Sequence, residues 1–428
     1  MEIAELYDRF LQCDGVTIDS RVCPENGMFI ALKGKSFDGN SFALQALAEG
    51  CRYAVVDDSR YATRPEIILV DDCLQALQAL ANFHRRRLAI PVIGITGTNG
   101  KTTTKELVAA VLQQQYKVAY TQGNLNNQIG VPLTLLRLTK EHQLAVVEMG
   151  ASHPGDISEL VHIAEPDYGI ITNVGKAHLL GFGSLEGVIR TKGELYDYLR
   201  TKENSVVFLQ NENPYLTAMA DRLQCVRYGQ SDGLYVSGKV SACSPYLSLN
   251  WTHALQSHEI RTHLIGAYNI DNVLTAIAVG CYFHITPSSI NEALEAYVPQ
   301  NSRSQLASTL SNTLIVDAYN ANPTSMRAAL DNFRLMEVAP KMVVLGDMKE
   351  LGEASLSEHQ SIVDFLQTCA FDCVWLVGPE FAATRHPYRS FGSVEEVKAE
   401  IASHKPAGFY ILIKGSNSMK MNQLPDLL

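Results

Sequence analysis

The feature that most restricts this chain is GTNGKTT (97–103), set between the apolar run VIGIT (92–96) and a helical pattern. A strand that turns through glycines into a helix aims backbone N–H groups, and the positive end of the helix, at one small volume. That volume suits the phosphates of a nucleoside triphosphate. Gly97, Thr98, Asn99, Gly100 and Thr103 form the candidate cradle. Lys101 is placed to reach the β- and γ-phosphates, and the Thr102 hydroxyl to ligate Mg2+. The spacing departs from the strict GxxxxGK[ST] pattern, because Ile95 stands where that pattern has its first glycine and Gly94 comes one place early.

Around this loop the chain reads as three blocks. With 428 residues it exceeds one ordinary hydrophobic core. The first block, 1–84, has strand candidates in MFIAL (28–32), YAVVDD (53–58) and EIILVDD (66–72), then a helical stretch from Asp72 to Arg87 that Pro91 stops. In the second, 85–299, continuous apolar runs recur between helical patterns: LAVVEM (144–149), YGIITNV (168–174) and SVVFLQ (205–210). Such runs predict parallel strands covered on both faces. Leu234 to Ile265 alternates polar and apolar residues and predicts an antiparallel excursion. Helical runs follow at Asn269 to Cys281 and Pro287 to Tyr297. The third block, 300–428, repeats the alternation with TLIVDAY (313–319), KMVVLGDM (341–348), CVWLVG (373–378) and FYILIKG (409–415), a second doubly wound α/β unit.

Composition narrows the classes of partner. Apolar residues are 46% and charged residues 19% of the chain, the balance of a folded globular protein. A formal net charge of -10 disfavours a nucleic-acid partner, whose phosphates attract basic surfaces. No apolar run is long enough to span a bilayer, so no membrane insertion is expected. The opening MEIAELYDRF is acidic where an export signal is basic, and the nine cysteines are scattered, without zinc-ribbon spacing. A reducing cytoplasm is therefore the expected location.

Other candidate residues are less specific on their own. Glu148 ends a predicted buried strand, the edge of an open α/β sheet at which ligands sit, and a carboxylate there suits Mg2+. The bland alternative is a carboxylate that caps the next helix. His178 follows the strand at 170–174, and a lone histidine is more often structural than a ligand. Lys192 lies in the helical pattern TKGELYDYL (191–199), where a lysine usually marks a solvated face.

GTNGKTT, EMGASHPGDI (148–157), the Asn173 to Ser184 segment and TKGE (191–194) occur in one order. Together they resemble the central domain of the Mur ligases, a family similar in turn to the folylpolyglutamate synthases. The resemblance covers nearly the whole chain. DSR (19–21) and FIALKGKSFDGNSF (29–42) are similar to the family's UDP-sugar-binding domain, and DAYNANPTSM (317–326), GDMKELG (346–352) and KGSNSMKM (414–421) to its C-terminal domain. The implied fold is a small α/β UDP-binding domain, a central P-loop domain on a parallel sheet with an antiparallel excursion, and a Rossmann-like third domain. GNLNNQIGVP (123–132) and DAYNANPTSM resemble the branch whose acceptor is D-alanyl-D-alanine.

The resemblance implies ATP and Mg2+ as cofactors, with UDP-N-acetylmuramoyl-tripeptide and D-alanyl-D-alanine as substrates. A monomer is expected. It assigns Lys101, Glu148, His178 and Lys192 to catalysis, with Lys192 carbamylated so that it joins Thr102, Glu148 and His178 around metal. Asn269 and Asn272 fall near the adenine, Asp317 at the ribose, and Arg303 near the nucleotide phosphates. Ser20, Arg21, Asp38, Asn124, Asn126, Asn127, Tyr319, Asn320 and Asn322 are the implied substrate contacts. Two positions depart from the family pattern: Tyr268 replaces a common histidine, and Leu180 replaces a frequent glutamate, which implies fewer partners around His178. The competing readings are a sister ligase, either third-residue-adding or folate-directed, a P-loop switch protein that would not need the first block, and a catalytically dead relative.

Overall fold

The computed structural model describes residues 1–299 and 304–428 and has three α/β domains, each built on its own sheet. The first sheet is parallel throughout, in the order Val16–Thr17, Met28–Ile30, Tyr53–Val56, Ile67–Leu69. The helix Cys73–Leu88 then begins where the Asp72 carboxylate accepts from the Gln75 N–H at 2.8 Å. It stops at Ala89, whose φ of 52° is left-handed, just before Pro91. The helix crosses residue 84 without a break and packs on the central domain. Gln78 donates to Glu159 at 2.6 Å, and Arg85 to the carbonyl of Ala164 at 2.8 Å.

The central sheet has nine strands. Its parallel part runs Val118–Tyr120, Leu144–Glu148, Val92–Thr96, Tyr168–Ile171, Val206–Gln210, Gln224–Gly229. Val92–Thr96, Leu144–Glu148 and Val206–Gln210 are buried at every residue, as the continuous apolar runs predict. The chain leaves Val92–Thr96 toward one side of the sheet and crosses to the other at Tyr168–Ile171. This switch gathers the loops after three carboxyl ends into one crevice. The excursion is as expected: Val236–Cys243, Tyr246–His253 and Gln256–Ile265 pair antiparallel. Leu247, Leu249 and Trp251 alternate inward there, and the Trp251 indole N–H donates to Asn291 at 3.0 Å. Because Trp251 is wholly buried, Trp251→Ala should cost about 3–5 kcal/mol of stability, read as a fall in the thermal midpoint.

In the third sheet Gln305–Ser308 runs antiparallel to Thr313–Asp317, and parallel strands follow in the order Tyr410–Lys414, Lys341–Gly346, Cys373–Val377, Arg389–Phe391. The last strand in sequence thus inserts between Thr313–Asp317 and Lys341–Gly346, and register sets Asp317 against Lys414. All nine cysteines are free. Among the described residues no helix is long and apolar enough to cross a membrane.

Candidate active site

At the end of Val92–Thr96 the backbone turns through Gly97, with φ 142°, and Gly100, with φ 78°, into the helix Lys101–Leu112. Both turns need glycine. A methyl on Gly97 would sit 2.0 Å from the Thr172 hydroxyl, and one on Gly100 would sit 2.6 Å from the Asn272 carbonyl oxygen. Neighbouring loops brace the turn. The Asn99 N–H donates to Asn173 at 3.0 Å, and the Thr172 hydroxyl donates to the Asn99 carbonyl at 2.6 Å. Lys101 folds back over the loop, donating to the carbonyls of Gly97 at 2.7 Å and Thr98 at 3.1 Å.

Glu148 is 1% exposed, and donors meet both its oxygens. The Thr102 hydroxyl donates to one at 2.9 Å and the Asn126 amide to the other at 2.8 Å. A hydroxyl and a carboxylate in contact at a phosphate-binding turn fit a hard, oxygen-seeking cation such as Mg2+. Among the described residues no three His, Cys, Asp or Glu side chains come together as a ready metal cage. A metal here would therefore take its remaining ligands from phosphate oxygens and water.

Lys192 is not on a solvated face. The helix Leu185–Arg200 turns Val188, Thr191, Lys192, Leu195, Tyr196 and Leu199 inward, and Lys192 is 2% exposed. Its Nζ lies 5.5 Å from the centre of the Phe182 ring. Burial, reinforced by the Lys101 ammonium, pushes its pKa well below the ordinary lysine range, which favours the neutral amine that carbamylation requires. Two residues on, Glu194 accepts from the N–H groups of Gly155 at 2.9 Å and Ser158 at 2.8 Å. It thereby pins the loop after Glu148. His178 caps the short helix Leu179–Phe182 with a left-handed backbone, and its Nδ1 pairs with Glu350 of the third domain. Burial lowers the His178 pKa, and the Glu350 charge opposes that. The carboxylate missing at Leu180 is thus matched by one from another domain.

A cavity of about 800 Å³ joins these groups. Thr98, Asn99, Gly100, Lys101, Thr102 and Thr103 line it, with Glu148, His178, Asn124, Asn126 and Asn127 on one side. Asn269, Asn272, Asp317, Tyr319 and Asn320 line the other. Asn272 is held by the Thr104 hydroxyl at 3.0 Å and donates to Asn269 at 2.8 Å. Just before the helix Gly130–Leu136, the Asn127 side chain accepts from the Gly130 N–H at 2.9 Å. Asp317 pairs with Lys414 at 2.6 Å. Asn322 exchanges an amide hydrogen bond with Asn99 of the phosphate loop at 2.7 Å, which docks the third domain on the second.

Several expected residues stand apart from the cavity. Gly97, Lys192 and Asn322 support its wall. Ser20, Arg21 and Asp38 belong to the first domain and do not line it. There Arg21 pairs with its neighbour Asp19 at 2.7 Å, and Asp38 accepts from Asn40 at 2.8 Å. Arg303 lies outside the described residues. Tyr268 lines the cavity and shares a 2.7 Å hydrogen bond with Ser304. Sequence reasoning assigned no role to Asp156, Asn173, Glu194, Glu350 or Lys414, although each sits inside a stretch the family resemblance singles out. Its signal was the surrounding motif, which marks a neighbourhood but not a contact.

The chain matches three family models in succession: the Mur ligase family catalytic domain over residues 12–85, the Mur ligase middle domain over 95–280, and the Mur ligase glutamate ligase domain over 302–417. It is 36% identical to the UDP-N-acetylmuramoyl-tripeptide–D-alanyl-D-alanine ligase of Bacillus subtilis, with 96% of this chain and 92% of that protein covered. Among solved structures it is similar to MurF from Acinetobacter baumannii, with a TM-score of 0.86 at 29% identity over 99% of this chain and 98% of that one. It is also similar to MurF ligase from Thermotoga maritima in complex with ADP, with a TM-score of 0.87 at 26% identity over 98% of this chain and 97% of that one.

Proposed function

Because the chain belongs to the Mur ligase family, we propose that it uses ATP to join D-alanyl-D-alanine to UDP-N-acetylmuramoyl-tripeptide, releasing UDP-N-acetylmuramoyl-pentapeptide, ADP and phosphate. The observation that carries the reading is the cavity between the phosphate loop and the Asp317 to Ser325 segment of the third domain, in a chain similar to such ligases over nearly its full length. In this reading the first domain (1–84) holds the UDP end, the second (85–299) holds ATP and the third (300–428) holds the dipeptide.

A carboxylate does not condense with an amine unaided, because oxide is a hopeless leaving group. The tripeptide carboxylate instead attacks the γ-phosphorus of ATP. The β,γ P–O bond breaks, ADP leaves, and an acyl phosphate remains. The dipeptide amine then attacks the carbonyl carbon. The tetrahedral intermediate expels phosphate, and the nitrogen gives up a proton.

The chain's own groups serve these steps in order. The loop N–H groups hold the β- and γ-phosphates, and the Lys101 ammonium offsets the charge that builds up when two anions meet. Asn269 and Asn272, hydrogen-bonded to each other, would face the adenine, and Asp317, steadied by Lys414, would face the ribose. Thr102 and Glu148 would hold one Mg2+, with His178 and carbamylated Lys192 on a second. Bound metal supplies further neutralisation of the phosphates and the carboxylate. Docking of the third domain through Asn322 shields the acyl phosphate from water. The reading carries a cytoplasmic location with it, where ATP and UDP-linked cell-wall precursors are found.

The test is phosphate release from ATP, Mg2+ and UDP-N-acetylmuramoyl-tripeptide, with and without D-alanyl-D-alanine. Release that needs both substrates, with a pentapeptide by mass, is the expected result. Release that answers to a single amino acid or a folate would move the chain to a sister branch. Release indifferent to every acceptor would overturn ligation altogether.

A further inference from the structure

Two residues with left-handed backbones meet across the joint between the second and third domains: His178 at φ 50° and Glu350 at φ 64°. Neither is glycine, so each conformation persists only because its surroundings hold it. The contacts that hold them are mutual. The Glu350 carbonyl accepts from the Leu180 N–H at 3.1 Å, and the Glu350 carboxylate pairs with His178 Nδ1. Close by, Lys176 pairs with Glu358 at 2.6 Å, and Leu179 packs on the third domain's core. Segment 176–182 therefore belongs to the second domain by chain and is fastened to the third by contact.

An imidazole has two nitrogens, and the partner of one decides what the other can do. A carboxylate beside Nδ1 draws the ring proton to that nitrogen and leaves the lone pair at Nε2 open. Leu180 is 71% exposed and offers the ring no polar side chain. The four-residue helix Leu179–Phe182 is too short to fix the ring by itself.

We propose that Glu350 is the positioning residue of the His178 centre: it sets the ring's tautomer and orientation, and because the third domain supplies it, that centre is complete only when the third domain is docked. This inference rests on the ligase reading above for what His178 does. It adds that part of the metal-holding apparatus is carried by the domain assigned to the incoming dipeptide.

The experiment is a Mn2+ titration followed by electron paramagnetic resonance. The full chain is saturated with a non-hydrolysable ATP analogue and UDP-N-acetylmuramoyl-tripeptide, with bicarbonate present. Parent protein is compared with Glu350→Gly, Glu350→Gln and Glu358→Ala, each first checked by thermal melting. Glycine accepts the left-handed backbone, so Glu350→Gly removes the carboxylate without adding strain. The parent is expected to bind two ions. In Glu350→Gly one site should weaken about 10- to 100-fold and the other should hold. Glu350→Gln, whose amide oxygen can still accept from Nδ1, should recover most of that loss. Glu358→Ala removes a docking pair that does not touch His178 and should leave both sites near the parent values. Two sites that stay unchanged in both Glu350 variants would overturn the positioning role and leave the ligase reading standing. Equal weakening of both sites in Glu350→Gly and Glu358→Ala would overturn it as mere loosening of the joint. A parent that binds one ion only would instead overturn the metal role of His178 itself.

Discussion

Lys101→Met is expected to lower kcat by about 10²–10³-fold while leaving the KM for the UDP-linked substrate close to that of the parent. Methionine keeps most of the side chain's length and removes the charge. The ammonium matters most when two anions converge, since the tripeptide carboxylate must approach the γ-phosphate. In the structure Lys101 spans the loop, bonded to the carbonyls of Gly97 and Thr98, so the amine already sits over the cradle that would hold the phosphates. No large rearrangement is then needed at the moment of reaction, and such preorganised charge contributes to the rate rather than to binding alone. Steady-state phosphate release measured against each substrate separates the two effects. A variant with kcat within a few-fold of the parent and only a raised KM for ATP would reduce Lys101 to a binding residue.

The parts of this fold that could be read in the sequence are those with one dominant physical cause. Val92–Thr96, Leu144–Glu148 and Val206–Gln210 lie in sheets covered on both faces, so the requirement for apolar residues is unbroken along each strand. In the excursion, Tyr246–His253 and the second half of Gln256–Ile265 are covered on one side, so their alternation is equally plain. The strands that went unread are short or lie at sheet edges: Val16–Thr17, Val118–Tyr120, Gln305–Ser308 and Arg389–Phe391. A strand of two to four residues carries too few positions for a period to show. Gln224–Gly229, inside the sheet, was hidden for another reason, because its burial is irregular from residue to residue.

The site divides along the same line. Its phosphate loop was legible because glycines, lysine and helix start are adjacent in the chain. The periodicity of Val188, Thr191, Leu195, Tyr196 and Leu199 places Lys192 on the apolar stripe of its helix, yet a lysine there still reads as solvated until the packing is known. The Asp317–Lys414 pair depends on a strand inserting between two others, and the His178–Glu350 pair depends on how two domains dock. Neither relation has a local signature. The motifs mark both neighbourhoods, and only the folded chain joins them.

Lys192→Ala should lose on the order of 10²–10³-fold in kcat, and formate, acetate or propionate should restore part of it. Carbamylation joins the neutral amine nitrogen to the carbon of CO2 and releases a proton, turning a cation into a carboxylate. The neutral amine is the reactive form, and the site favours it: burial first, then the Lys101 ammonium, hold the Lys192 pKa well below its ordinary range. The sign of the stability effect follows. An unfolded lysine stays protonated up to about pH 10.4, so the unmodified fold gives up stability at every pH where its own amine must shed that proton or bury it. The deficit shrinks as pH rises toward the unfolded value and is absent above it. Carbamylation converts the buried cation into an anion that can pair with metal. Bicarbonate with Mg2+ should accordingly raise the thermal midpoint of the parent at neutral pH and leave that of Lys192→Ala unmoved. Carbon-13 bicarbonate should give a carbamate resonance in the parent alone. An ordered ammonium with no such resonance, together with a Lys192→Ala enzyme deaf to carboxylic acids, would leave Lys192 as a buried cation and remove it from the metal set.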